Sequence, residues 1–172
     1  MLAPGRSSPS TEPAVTDETV TDEGVESAIK ATLTLLLGSS DEDQEAVVGV
    51  DDLARVLRHL EQVALAASMG HTPESYGEET LDPPQVDHPG LRDHLCARFP
   101  GFGLYQLSDV EDGSIEDAID DLMDITRDLS EVFLASKDPS LRRSGFVRSY
   151  ETHWGQHLRN LRRMLAGETE PL

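Results

Sequence analysis

The segment "SYETHWGQHLRNLRRML", residues 149–165, places His153 and His157 four positions apart around a Trp-Gly pair. Side chains at i and i+4 stack on one side of a helix, so these two imidazoles are spaced either to ligate one divalent ion or to pair separately with acids. An earlier run, "DAIDDLMDITRDL" (117–129), supplies the acids: Asp117, Asp121, Asp124 and Asp128 recur at spacings of four, three and four. At about 100° per residue, Phe146, Val147, Tyr150, Trp154, Leu158, Leu161 and Leu165 share one arc of the last helix, with His157 inside that arc and His153 at its rim. The same construction puts Asp121 and Asp128 on one rim of the preceding helix's apolar stripe, with Asp117 and Asp124 a little further out.

Two readings follow. In the first, Asp121, Asp124, Asp128, His153 and His157 form a polar network that fixes helix register, with Trp154 and Tyr150 as structural core residues. In the second, the same five residues offer nitrogens and oxygens to a divalent metal. Other chemistry finds no support. The zinc-protease pattern H-E-x-x-H needs a glutamate where Trp154 stands, and the Glu-x-x-His pattern of carboxylate-bridged di-metal bundles is absent. There is no G-x-S-x-G elbow and no phosphate-binding glycine loop. Cys96 follows His94 by two positions, and residues two apart do not face each other on a helix. No catalytic or organic-cofactor-binding residue is therefore assigned.

Helices must position these side chains. Val25, Ala28, Ile29, Thr32, Leu33, Leu36 and Leu37 predict a first helix from about Gly24 to Leu37, ended by Gly38-Ser39-Ser40. Residues 41–50 are ambiguous between a short helix and a turn. Leu53 to Ala67 mark a second helix, with Asp51 or Asp52 as a cap and Gly70 as its end. A third, short helix starts near Pro89, buries Leu91, Leu95 and Phe99, and stops at Pro100; "GFGLYQLSD" then reads as extended. Ser114 with Asp117 predicts the cap of the fourth helix, whose stripe runs from Ile115 to Phe133 and ends near Ser136. Asp138-Pro139 opens the last helical segment, which runs to Ala166 with Gly145 as a candidate break. The short link "SKDPS" makes the last two elements antiparallel neighbours. No segment shows the alternation a sheet would need. The expected fold is all-α: a single-domain helical bundle of about five helices over 24–166, with a disordered acidic N-terminal tail (1–23) and a C-terminal tail (167–172).

Residues 70–90 share the tail's polar, Pro-rich composition and read as a mobile acidic loop in which His71, Tyr76 and His88 could line a site. His59, beside Arg58, falls at a surface edge. The formal net charge is −19, with 33 acids against 14 Lys plus Arg. That balance repels a phosphate backbone and makes nucleic acid a poor partner. The charge is uneven: residues 1–136 carry 29 acids and 7 cations, whereas 137–172 carry 4 and 7. The basic last helix must therefore lie among acidic neighbours, with Arg159, Arg162 and Arg163 pairing to acids nearby. One cysteine excludes an internal disulfide, and the most apolar run, "ATLTLLLG", is far short of the roughly 20 residues that span a bilayer. A cytoplasmic protein without membrane association is expected.

The segments "DAIDDLMDITRDLSEVF" and "YETHWGQHLRNLR" together resemble a bacterial family of helical proteins catalogued only as a domain of unknown function. That family is typified by a D-D-L-x-D-I-x-x-D-L helix followed by an H-W-G-x-H-L helix. The resemblance spans about residues 25–166, its recognisable motifs lying from "FPGFGLY" onward. The motif positions here are Asp120, Asp121, Leu122, Asp124, Ile125, Asp128 and Leu129, then His153, Trp154, Gly155, His157 and Leu158. Thr126 stands where many members of that family carry a tyrosine. The resemblance implies a helical fold and no established activity. The leading functional expectation is thus a non-enzymatic helical module acting through protein contacts, its acidic surface steering a basic partner. The alternative is a metal-binding or metal-dependent hydrolytic bundle using the same Asp and His residues.

Overall fold

In the computed structural model, residues 20–39, 46–69, 88–107 and 115–171 are described. The first helix, α1 (Asp22–Leu37), starts where the Thr21 hydroxyl accepts the Gly24 N–H at 3.1 Å, and Asp22 and Glu23 complement its N-terminal dipole. Gly38, at φ 79°, ends it. Helix α2 (Val50–Met69) has Asp51 and Asp52 inside its first turn rather than at a cap position. It buries Leu53, Leu57, Leu60, Val63, Ala64 and Ala67. Helix α3 (Leu91–Arg98) turns Leu91 and Leu95 inward, followed by buried Phe99. Helix α4 (Ala118–Ala135) and helix α5 (Pro139–Ser149) come next. A π-helical turn (Tyr150–Trp154) then leads into α6 (Gly155–Leu165). These elements form a helical bundle: α1 packs on α2, α4 and α5, and α6 packs on α4 and α2. Trp154, Tyr105, Phe99 and Phe146 are the bulkiest fully buried side chains.

Several expectations need correction. The chain does contain a small antiparallel sheet of order β2-β1-β3, formed by β1 (Leu104–Leu107), β2 (Ile115–Asp117) and β3 (Thr169–Pro171). Its period-two signal is confined to β1, where Tyr105 and Leu107 are buried and Leu104 is exposed. Four residues are too few for alternation to stand out in a sequence. Ile115 and Glu116 belong to β2 rather than to the fourth helix. That helix is capped by Asp117, whose carboxylate accepts the Ile119 N–H at 2.9 Å. Residues 169–171, expected in a loose tail, pair with β1. The last helical segment is interrupted at Tyr150–Trp154, whereas Gly145 sits inside α5. The Asp138 cap is as expected, accepting the Ser140 N–H at 2.9 Å ahead of Pro139.

Of the expected N-terminal tail, residues 20–23 are described and enter the cap and first turn of α1. Residues 1–19 lie outside the described residues, as do 40–45, most of the 70–90 loop with His71 and Tyr76, and Ser114. No helix among the described residues is long and apolar enough to cross a membrane.

Candidate functional site

The apolar stripe of α4, Ala118, Ile119, Leu122, Ile125 and Leu129, faces the core. This places Asp121, Asp124 and Asp128 along the edge where α4 meets the last helical segment. Asp121 meets His157, and Asp128 meets both His153 and Ser149. Numbers rising along α4 pair with numbers falling along α5 and α6, so the two run antiparallel, as the short link requires.

The inner pair is the more enclosed. Asp121 is 2% exposed, and its carboxylate has two donors: the Tyr105 hydroxyl at 2.5 Å and His157 Nδ1 at 2.6 Å. A carboxylate only accepts, so Nδ1 carries the proton and Nε2 is the free nitrogen of the neutral ring. Nε2 faces Asp124 Oδ2 at 3.5 Å. The hydrogen bond to Asp121 is the main reason the His157 pKa is raised, outweighing desolvation; the charges of Asp121, Asp124 and Glu116 add to it. Burial first, then the Asp121 carboxylate, pushes the Tyr105 phenol up, so Tyr105 stays a donor.

The outer pair repeats the arrangement nearer water. His153 Nδ1 lies 3.0 Å from Asp128 Oδ2, which also accepts the Ser149 hydroxyl at 2.6 Å. The two imidazoles meet edge to face, with centroids 5.0 Å apart. One donor atom each from Asp124, His153 and His157 falls within a 4.8 Å cluster. Asp124 Oδ1, on the other side, faces Arg127 at 3.6 Å.

All five polar residues singled out by spacing therefore come together, with one correction of placement. His157, expected inside the core arc, keeps 23% of its side chain exposed, and His153, expected at the rim, keeps 51%. The wheel assumed an unbroken helix. The π-turn adds one residue without a matching advance, which rotates everything after it by roughly 100° relative to that wheel. Trp154 is fully buried against Phe146 and Tyr150, at centroid distances of 5.2 and 4.9 Å, as its core assignment requires.

Tyr105 and Ser149 are site residues that spacing did not reveal. Ser149 lies one helical turn before His153 and was open to the same wheel argument. Tyr105 reaches Asp121 from the sheet, a contact no local pattern encodes. Of the three outer arginines, Arg162 pairs with Glu61 of α2, Arg163 lies 3.8 Å from Glu168, and Arg159 bonds to Gln156. His94 contacts the Leu36 carbonyl at 3.1 Å rather than Cys96, and helps Arg98 satisfy the C-terminus of α1. His88 Nε2 lies 3.3 Å from Ser130 Oγ, on the other side of α4. Comparison with known protein families, with characterised proteins and with solved structures found no match.

Proposed function

We propose that this chain is a divalent-metal-binding helical module, with Asp124, His153 and His157 as ligands and with Asp121 and Asp128 holding the two imidazoles. The observation that carries it is the repeated carboxylate–imidazole contact: each histidine gives Nδ1–H to an aspartate and keeps Nε2 for a ligand. Metal-binding histidines are oriented in this way, which fixes the tautomer and raises ligand basicity. Distances support the reading. Donors about 2.0–2.2 Å from one ion at a tetrahedral angle are roughly 3.3–3.5 Å apart, and His157 Nε2 and Asp124 Oδ2 are separated by 3.5 Å. That is long for a hydrogen bond and suited to a shared ion. His153, half-exposed, has room to close on the same ion. Two imidazoles and one carboxylate select a first-row transition ion over calcium or magnesium, and leave a coordination position for water.

The motif resemblance supports the same reading: of its acids, Asp121, Asp124 and Asp128 meet the two motif histidines, while Asp120 pairs with Arg92. A cytoplasmic setting belongs with it, since Cys96 is a free, exposed thiol, a state that reducing compartments maintain. Titration calorimetry of untagged, chelator-treated protein with zinc and with manganese tests the metal reading. One ion per chain is expected, with at least tenfold weaker binding in Asp124→Asn and His157→Ala. Absence of binding, or equal binding by Asp124→Asn, leaves a purely structural network. Contact with a protein partner is favoured separately by Leu65 and Met69, 49% and 83% exposed and one turn apart on α2. Its test is whether Leu65→Glu/Met69→Glu protein loses a partner that the wild type retains.

A further inference from the structure

A π-helical turn inside an α-helix is rare and occurs often at functional sites. Here its signature is the Gly155 N–H bonded to the Tyr150 carbonyl, five residues back. Only glycine fits. A Cβ at position 155 would stand 2.3 Å from the Tyr150 carbonyl oxygen and 2.9 Å from the Tyr150 ring, and both partners are fixed, one as backbone and the other as a buried side chain.

The core does not demand this turn. On an unbroken wheel, Phe146, Val147, Tyr150, Trp154, Leu158, Leu161 and Leu165 already share one arc, and with the turn in place the first six are buried and Leu165 is partly buried against the core. The apolar arc is wide enough to face inward in either register. The histidines are not indifferent. An unbroken helix directs His157 into the core arc, whereas the extra residue turns it to the flank where Asp121 and Asp124 stand.

We infer that Gly155 is a positioning residue of the Asp/His site: by admitting the π-turn, which itself carries His153, it sets the rotation of α6 that brings His157 to Asp121 and Asp124. This rests on the metal reading above for its purpose, but the rotation itself has its own readout. Deleting one residue inside the turn, such as exposed Thr152, converts the Gly155–Tyr150 bond into an ordinary i,i+4 bond. It leaves α5 and α6 in their present relative rotation and removes the requirement for glycine.

The test is a suppression experiment on full-length protein. Gly155→Ala is expected to weaken zinc binding at least tenfold. It should also remove the ¹⁵N signature of a His157 imidazole protonated at Nδ1. Adding the Thr152 deletion to Gly155→Ala is expected to restore that signature and to bring zinc affinity within about fivefold of the deletion alone. Binding and imidazole shifts unchanged in Gly155→Ala overturn the inference. So does a double variant that fails to fold, or that folds without recovering the His157 signature, because the glycine is then needed for packing alone. If wild-type protein binds no metal, the metal reading fails while the ¹⁵N arm still decides the role of Gly155.

Discussion

Asp121–His157 and Asp128–His153 are built from the same residue types, the aspartates on α4 and the histidines on α6 and the π-turn before it, and they differ in how far water reaches them. The inner aspartate is 2% exposed and holds a second donor, Tyr105, from the sheet. The outer histidine keeps 51% of its side chain in solvent, and its aspartate takes its second donor from Ser149, one turn away on the same helical segment. A fully buried carboxylate stripped of a donor pays its full desolvation, whereas Asp128, whose side chain keeps 15% exposure, has water within reach to substitute. The inner pair therefore ties three elements together, and the outer pair is a local contact free to rearrange. Identical chemistry is divided by burial into a fastener and an adjustable ligand.

The largest perturbation removes what both pairs share. Trp154, fully buried between Phe146 and Tyr150, anchors the turn that carries His153 and precedes His157. Trp154→Ala is expected to cost about 3–5 kcal/mol in urea denaturation, as a large core truncation. Near-wild-type unfolding would mean that the segment is not anchored there. The next largest effect separates the pairs. His157→Ala leaves buried Asp121 without one of its donors and should cost about 1–3 kcal/mol. Tyr105→Phe removes the other donor while filling nearly the same volume, and is expected to cost about 1–2 kcal/mol. A double variant whose loss exceeds the sum of these two, measured as a double-mutant cycle, would show that the donors back each other up; simple additivity would show two independent bonds.

How much of this was legible in the sequence follows the range of each interaction. Apolar periodicity located α1, α2 and α4, since each stripe lies within one helix and one helix can be read alone. The five polar residues were equally accessible, because two helices joined by "SKDPS" have little freedom except to lie side by side. Longer-range facts were not. β2 and β3 pair with β1 across stretches of chain that carry no mutual signal, so Ile115 was drawn into a helix and Thr169–Pro171 into a tail. Tyr105 meets Asp121 only because that sheet exists. The π-turn had a trace, the glycine following Trp154, but glycine inside a helical pattern has several meanings. Its exclusion of a Cβ becomes visible only when Tyr150 folds over it.

The inner pair also predicts a pH dependence of definite sign. The folded-state pKa of His157 is raised, chiefly by its hydrogen bond to Asp121. A group raised in this way adds stability that is complete below its unfolded value, about 6.5 for histidine. That stability fades as pH climbs through the higher folded value, because the protonated ring is the form the native state prefers. In chelator, the stability difference between wild type and His157→Ala should therefore shrink from pH 6 toward pH 9. A difference that grows over this range would place the ring in the opposite relation to Asp121.

The smallest effect is the most discriminating for the contrast itself. His153→Ala removes an exposed ring from an aspartate that retains the Ser149 hydroxyl, so its cost should stay within about 0.5 kcal/mol in chelator. If zinc binds as proposed, the same variant loses most of the melting-temperature increase that zinc confers on the wild type, since bound ligand stabilises the native state in proportion to RT ln(1 + [L]/Kd). A residue that hardly matters to the metal-free protein and matters strongly to the loaded one cannot be a fastener. Were His153→Ala instead to destabilise the metal-free chain as much as His157→Ala does, burial would not be what separates the two pairs, and the outer pair would have to be counted with the structural network.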